Sequence, residues 1–309
     1  MEHSLFTRKT PCLIFILAWM IFSPPVSAFE PGSPTIGITG GNIFSGKIDE
    51  AGPGGEVEGI YTGISLKIPV QLNRRSSLSL NFGGERVAYD WDNPENLYFS
   101  EGNEPWDELF FAGAELEYVY NRSRQFSAIA GVNVSAGWED GTEDAYSHGA
   151  YIGGMYRTDS GLNWIFGMGV FLRPEDTLFF PMLGLSWKEQ SGRPGADNSG
   201  LSLKIGAPET EIRYAFTEFF DVYCNFELDM MIYRLEEGSR VSSSGLVEMT
   251  NLRSGLFVDI RPIQPLQVSV GATYLFGREW EIQNKNGDKI RNIDIEDAFG
   301  AKFSMNWTF

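Results

Sequence analysis

The sequence predicts an all-β fold, an antiparallel up-and-down transmembrane β-barrel of about 14 strands, with about 12 as the alternative. Three observations predict it. First, Phe299, Ala301, Phe303, Met305, Trp307 and Phe309 alternate with Gly300, Lys302, Ser304, Asn306 and Thr308, the period of two that gives a strand one apolar and one polar face. Second, the same alternation recurs along the chain, mostly in segments reaching the ~9–11 residues that a tilted membrane strand requires, against ~5–6 for strands of soluble sheets. Third, most connections between these segments alternate between short and long, as they do in membrane barrels; 189–199, 174–175 and 206–209 are the exceptions.

At the start of the chain, Arg8 and Lys9 precede an apolar run, Cys12–Phe22, followed by Pro24, Pro25 and Val26-Ser27-Ala28. This is the pattern of a secretory signal peptide over residues 1–28, cleaved after Ala28. The run is too short to span a bilayer as a helix, which takes about 20 residues. Lys9-Thr10-Pro11 before Cys12 does not resemble a lipid-attachment box. Residues 29–309 then form one domain, with strands near 33–44, 57–72, 77–90, 108–120, 125–138, 147–157, 162–173, 176–188, 200–205, 210–216, 221–235, 245–261, 266–280 and 294–309. Leu266, Val268, Val270, Ala272, Tyr274 and Phe276 make the cleanest apolar face, and Phe126 to Trp138 and Leu162 to Leu172 repeat it. The weak pair is 200–216, short and poorly alternating; without it the count falls to twelve.

Alternation alone also fits a secreted soluble β domain with its apolar face inward. Composition decides between the two. A soluble exterior is about 25–35% charged, whereas the polar faces of 125–138, 162–172 and 266–276 carry Gly, Ser, Asn, Thr, Gln and a few apolar residues, with no charge. Side chains that small cannot fill a wide barrel, so the apolar face is expected to meet lipid and the polar face water. Trp138, Trp164, Trp187, Trp280 and Trp307 fall near predicted strand ends, where interfacial aromatic girdles lie.

The terminal segment resembles the last strand of bacterial outer-membrane β-barrels, which the barrel-assembly machinery reads; Phe303, Met305, Trp307 and Phe309 would carry that signal. On this resemblance, replacing Phe309 with Asp is expected to block assembly while leaving export intact. Pro181-Met-Leu-Gly-Leu-Ser-Trp187, Gly206-Ala-Pro-Glu-Thr-Glu-Ile-Arg-Tyr214 and Leu228–Leu235 further resemble an uncharacterised family of outer-membrane barrels defined as a domain of unknown function. The resemblance implies the fold and an outer-membrane location, and brings no substrate. With both termini in the periplasm, short connections such as 73–76, 121–124, 158–161, 217–220 and 262–265 lie inside. The long connections 45–56, 91–107, 139–146, 236–244 and 281–293 lie outside.

Strand parity directs Lys67, Glu115, Glu117, Lys204, Glu211, Arg213, Glu227, Asp229, Arg253, Asp259 and Lys302 toward the lumen. These are six acids and five bases; a ring of one sign would give strong ion selectivity, whereas this mixture predicts a salt-bridged wall or a weakly selective pore. The net charge of −17 instead concentrates outside, where loops 45–56, 91–107 and 139–146 hold twelve acids against Lys47. Carboxylates are hard oxygen ligands, so the rim is a candidate site for divalent cations, though it lacks the spacing of a calcium loop. Tyr98 and Phe99, set among five acids in 91–107, predict a loop that folds inward and narrows the pore.

Enzyme chemistry finds little support. Outer-membrane hydrolysis generally requires a histidine base beside a nucleophile, and Ser147-His148 is the one such pair beyond the leader. No zinc spacing, P-loop or dinucleotide pattern is present, so no cofactor is expected, and no basic cluster points to nucleic acid. Cys224, between Tyr223 and Asn225, is placed on the lipid face. The expected function is a passive, porin-like channel for small hydrophilic solutes. The alternatives are a structural or adhesive surface barrel with a plugged lumen and, third, a lipid-modifying or proteolytic enzyme.

Overall fold

The computed structural model describes residues 32–49, 54–141, 145–174, 176–189, 200–206 and 209–309. The signal peptide, most of the 189–199 connection and parts of two acidic loops lie outside the described residues. The strands are β1 (Thr35–Asp49), β2 (Glu56–Asn73), β3 (Ser76–Asp92), β4 (Glu108–Asn121), β5 (Phe126–Trp138), β6 (Tyr146–Arg157), β7 (Asn163–Leu172), β8 (Thr177–Lys188), β9 (Gly200–Gly206), β10 (Glu209–Ala215), β11 (Phe220–Arg234), β12 (Leu246–Ile263), β13 (Leu266–Gln283), β14 (Lys289–Ile295) and β15 (Ala298–Thr308). β14 and β15 are successive segments of one wall position between β13 and β1. The result is a closed, antiparallel barrel of fourteen strand positions. The short 200–216 segment forms two strands, β9 and β10, so the count of twelve does not hold.

Closure follows from the terminal segment. β15 pairs with β1 from Ile43–Gly300 to Thr35–Thr308, and with β13 from Leu275–Ala298 to Leu266–Trp307. Closing the sheet leaves no open edge at this seam. One end of the barrel, the turn end, carries the tight hairpins; in one of them the Arg75 amide donates to Asn73 Oδ1 at 2.9 Å, a local bond that favours a turn over a longer strand. The opposite, loop end carries most of the long connections.

Two regions differ in which face is apolar. Over the turn-end part, large apolar side chains point outward, including Ile60, Ile64, Ile152, Met168, Leu183 and Leu256, each more than 60% exposed. Their inward neighbours are small or polar, such as Ser65, Asn81, Gly131, Ser269 and Thr273. A contiguous apolar exterior of this kind marks a surface that does not face water.

Toward the loop end the polarity inverts. Glu58, Arg86, Asp90, Glu108, Glu279 and Asp294 occupy the outer face, while Val57, Trp91, Leu109, Val247, Trp280, Ile282 and Ile293 fill the interior. This collar is built like a soluble barrel. Trp91, Trp106 and Trp280 form its centre, with ring centroids 5.3–5.8 Å apart, and the Trp91 indole donates to the Trp106 carbonyl at 2.7 Å. Aromatic pairs at such spacings add about 0.5–1.5 kcal/mol beyond their area.

Trp280 is therefore not part of an interfacial girdle, as parity suggested. Between Phe276 and Trp280 the β13 ladder slips by a residue, with Gly277 at φ +55°. A one-residue bulge exchanges the two faces of a strand, and glycine tolerates the positive φ. Trp164 and Trp307 do lie exposed on the outer face, and Trp138 stacks on Phe110 with centroids 6.0 Å apart.

Candidate functional site

The lumen of the turn-end region is the candidate site. Following the ladders around the barrel, all eleven charges singled out by parity share the inner face: Lys67, Asn81 and Glu115 stand in register, as do Lys204 with Glu211 and Glu227 with Arg253. Lys302 lies across from Gly41 and Gly271. The structure gathers most of them into three groups.

Nearest the turns, Arg213 bonds Glu211 at 2.9 Å, Asp221 at 3.2 Å and, more closely, Asp259. Arg261 reaches Asp221 at 2.7 Å, Gln267 donates to Asp259 at 2.8 Å, and the Arg213 guanidinium lies 4.0 Å from the Tyr223 ring centre. The planar fork of arginine suits such multiple carboxylate contacts. Higher in the shaft, Arg253 joins Glu227 and Asp229, each at 2.8 Å, with Tyr61 beside it. On the facing wall, the Tyr151 hydroxyl donates to Glu115 at 2.7 Å, lies 3.1 Å from Glu117, and Asn81 donates to Glu115 at 3.1 Å. Lys204 pairs with Glu209 at 2.8 Å. The shaft is lined by paired charges of both signs rather than by a ring of one.

Parity reasoning passed over Glu85, Tyr61, Tyr151, Asp221 and Arg278, which share this face. Glu85 was readable in principle, four residues from Asn81 on the same strand face. Arg278 was not, because it follows the Gly277 bulge.

At the loop end the shaft meets the apolar collar. The 91–107 connection folds over it through two 3-10 turns, Pro94–Asn96 and Tyr98–Ser100. Leu97, Phe99 and Trp106 are buried in the collar while Tyr98 stays exposed. The loop does fold inward, using apolar residues rather than its acids. β11 also meets β5 here while keeping its ladder to β12. At this contact Arg234 pairs with Trp138 in parallel and the Glu139 amide donates to the Arg234 carbonyl at 2.9 Å. Gly137 permits the contact, since a Cβ there would overlap the Ile232 carbonyl oxygen. The Glu139 carboxylate accepts from the Glu236 amide at 3.0 Å. Burial, with Glu236, Asp107 and Asp140 nearby, pushes its pKa up to about 7.

The remaining candidates are dispersed. Ser147 points inward and is buried, whereas its neighbour His148 is on the opposite, exposed face, so the two side chains do not meet. Cys224 is exposed on the outer face. Phe303, Trp307 and Phe309 are exposed and Met305 half-buried. Among the described residues no three His, Cys, Asp or Glu side chains are arranged to hold a metal ion.

No family model and no curated protein matches the chain. Solved outer-membrane barrels resemble it at low identity. The COG4313 outer membrane channel from Pseudomonas putida F1 aligns at 10% identity over 94% of this chain and 100% of its own, with a TM-score of 0.48. A Pseudomonas aeruginosa FadL homologue aligns at 10% identity over 91% of each chain, also with a TM-score of 0.48. The KdgM porin aligns at 8% identity over 88% of this chain and 99% of its own, with a TM-score of 0.36.

Proposed function

We propose that this chain is an outer-membrane barrel of the channel type, exported by its leader and assembled with the turn end in the periplasm. Small hydrophilic solutes would use the charge-lined shaft, and the aromatic collar would act as its outer closure. The observation that carries this reading is the inversion of the barrel faces: apolar outside and charged inside over the membrane-length part, then the reverse in the collar. A shaft of paired charges fits a weakly selective path, since no single sign dominates the field along it.

The collar also favours a second reading, a closed structural or adhesive surface barrel. Two measurements separate these. Outer-membrane fractionation, with faster migration of unboiled than boiled protein on a denaturing gel, tests the membrane assignment. Planar-bilayer recording tests conduction: discrete steps support the channel, and silence from both the intact barrel and one lacking residues 93–105 leaves the structural reading. Membership of the uncharacterised family of outer-membrane barrels and divalent-cation binding at the acidic rim belong to the same proposal. Calcium-dependent thermal stabilisation of the folded barrel would test the cation site.

A further inference from the structure

Among the described residues, the ladders on one side of the closed wall stop short. β9 and β10 have seven residues each. Their ladders to the long neighbours therefore stop at Gly184–Gly206 on β8 and Glu209–Glu227 on β11. Above this level, among the described residues, Thr177–Leu183 of β8 has a ladder only to β7, and Leu228–Tyr233 of β11 has one only to β12. Phe179 and Leu183, 69% and 71% exposed on the outer face, belong to the apolar belt. Hydrocarbon cannot satisfy an open sheet edge, which is tolerated at bilayer depth only where it lines a cavity or is covered.

Beside β11 lie a small cavity and a larger cleft. Where β11, still laddered to β12, turns toward β5, residues that parity would aim at lipid are buried instead: Leu228 and Met230 are 3% and 9% exposed. Met230 and Ile232 face Ser135, Ser147 and Phe171 across a cavity of about 30 Å³. Arg173 lines that cavity and also a cleft of about 980 Å³ at the loop end. Arg234, Lys285, Asp140, Glu236 and Glu237 supply both charge signs to the cleft. Arg173 itself is held by Glu248 at 2.9 Å and, more closely, by both carboxylate oxygens of Asp176, which fixes the junction. The cleft and the cavity meet at Arg173, and the cavity, lined by Phe111, Phe171, Met230 and Ile232 together with Ser135 and Ser147, borders β11, one of the two edges.

We propose that this series is a lateral slot for a single-chain amphiphile. The polar head sits in the cleft at Arg173, and the chain passes Met230 to leave between β8 and β11 toward the bilayer. The cavity is the neck of this slot and holds about one water, so Met230 is its movable wall. An unbranched thioether side chain with three rotatable bonds repacks at little cost. The proposal rests on the membrane reading above for the depth of these edges, but not on conduction through the shaft.

The test is binding of dansylaminoundecanoic acid to the folded barrel in amphipol, followed by dansyl fluorescence. The double variant Met230→Trp/Ile232→Trp fills the neck and is expected to weaken binding by about tenfold or more. Heat-modifiable migration shows that the variant has folded. A second measurement leaves the neck side chains in place. In a Cys224→Ser background, a fluorophore on Leu228→Cys should be quenched by vesicles of brominated phosphatidylcholine and not by unbrominated ones. Unchanged probe binding in a folded double variant, or no bromine quenching, overturns the slot. Probe binding by a barrel that never conducts would leave the slot standing and remove the channel reading.

Discussion

The turn-end barrel and the loop-end collar are made by the same strands, yet each buries what the other exposes. In the first, Met168 and Leu256 face outward and Glu115 and Asp259 are buried inside; in the second, Glu58 and Glu279 face outward and Trp91 and Trp280 are buried inside. The comparison shows that the solvent around a sheet, not the sheet, sets which face is apolar. The switch occurs at one level. β1 slips between Ile43 and Gly46, β13 slips around Gly277, and the wall is interrupted at Glu296 and Asp297 between β14 and β15. Each irregularity turns the following residues to the other face: Ile43 and Ile48, Leu275 and Trp280, and Ala298 and Ile295 all face inward despite their mismatched parity. β2, β3 and β4 keep their parity and change composition instead, from Ser79, Asn81 and Glu115 to Val87, Trp91 and Leu109.

The largest effect that would break this comparison comes from the core of the collar. Trp280→Ala removes the ring that packs against both Trp91 and Trp106, and large-to-small aromatic changes in a core cost about 3–5 kcal/mol. Hydrogen exchange should rise across β3, β13 and β14 near the loop end while the turn-end ladders stay protected. Uniform loss of protection would show that the two regions are one cooperative unit.

Inside the shaft a charge change should alter permeation. Arg253→Met leaves Glu227 and Asp229 without their shared cation. In a barrel lacking residues 93–105, the reversal potential in a salt gradient should shift toward cation selectivity. An unshifted potential would place Arg253 away from the permeation path.

The smallest effect concerns the seam between the regions. Glu139 has its pKa raised from 4.5 to about 7, so the folded state binds this proton more tightly than the unfolded chain does. Its contribution is fully present below about pH 4.5 and is lost as pH rises through about 7. Cleavage of the 235–245 connection by an added protease should accelerate across that window relative to Glu139→Gln. A wild-type to variant ratio that does not change with pH would remove Glu139 from the seam.

Much of the barrel is legible in the sequence because a period of two is a local property. The fourteen positions, the short hairpins and the inner face of Glu115, Arg213 and Arg253 follow from counting along single strands. The rest depends on relations between strands that counting cannot reach. Trp280 is displaced by a bulge whose residue, Gly277, looks like many other glycines. The burial of Leu228 and Met230 follows from β11 meeting β5, a contact between segments more than ninety residues apart. Asp221 and Asp259 at Arg213, and Glu227 and Asp229 at Arg253, come from other strands and are set by register.

The account turns on whether the collar and its loop close a shaft that is otherwise continuous. Single-channel recording of the intact barrel against one lacking residues 93–105, both shown to be folded by heat-modifiable migration, tests this most directly. The deletion removes Leu97 and Phe99 from the collar and should raise the unitary conductance several-fold from small or absent steps. Equal conductance in the two proteins would contradict the account.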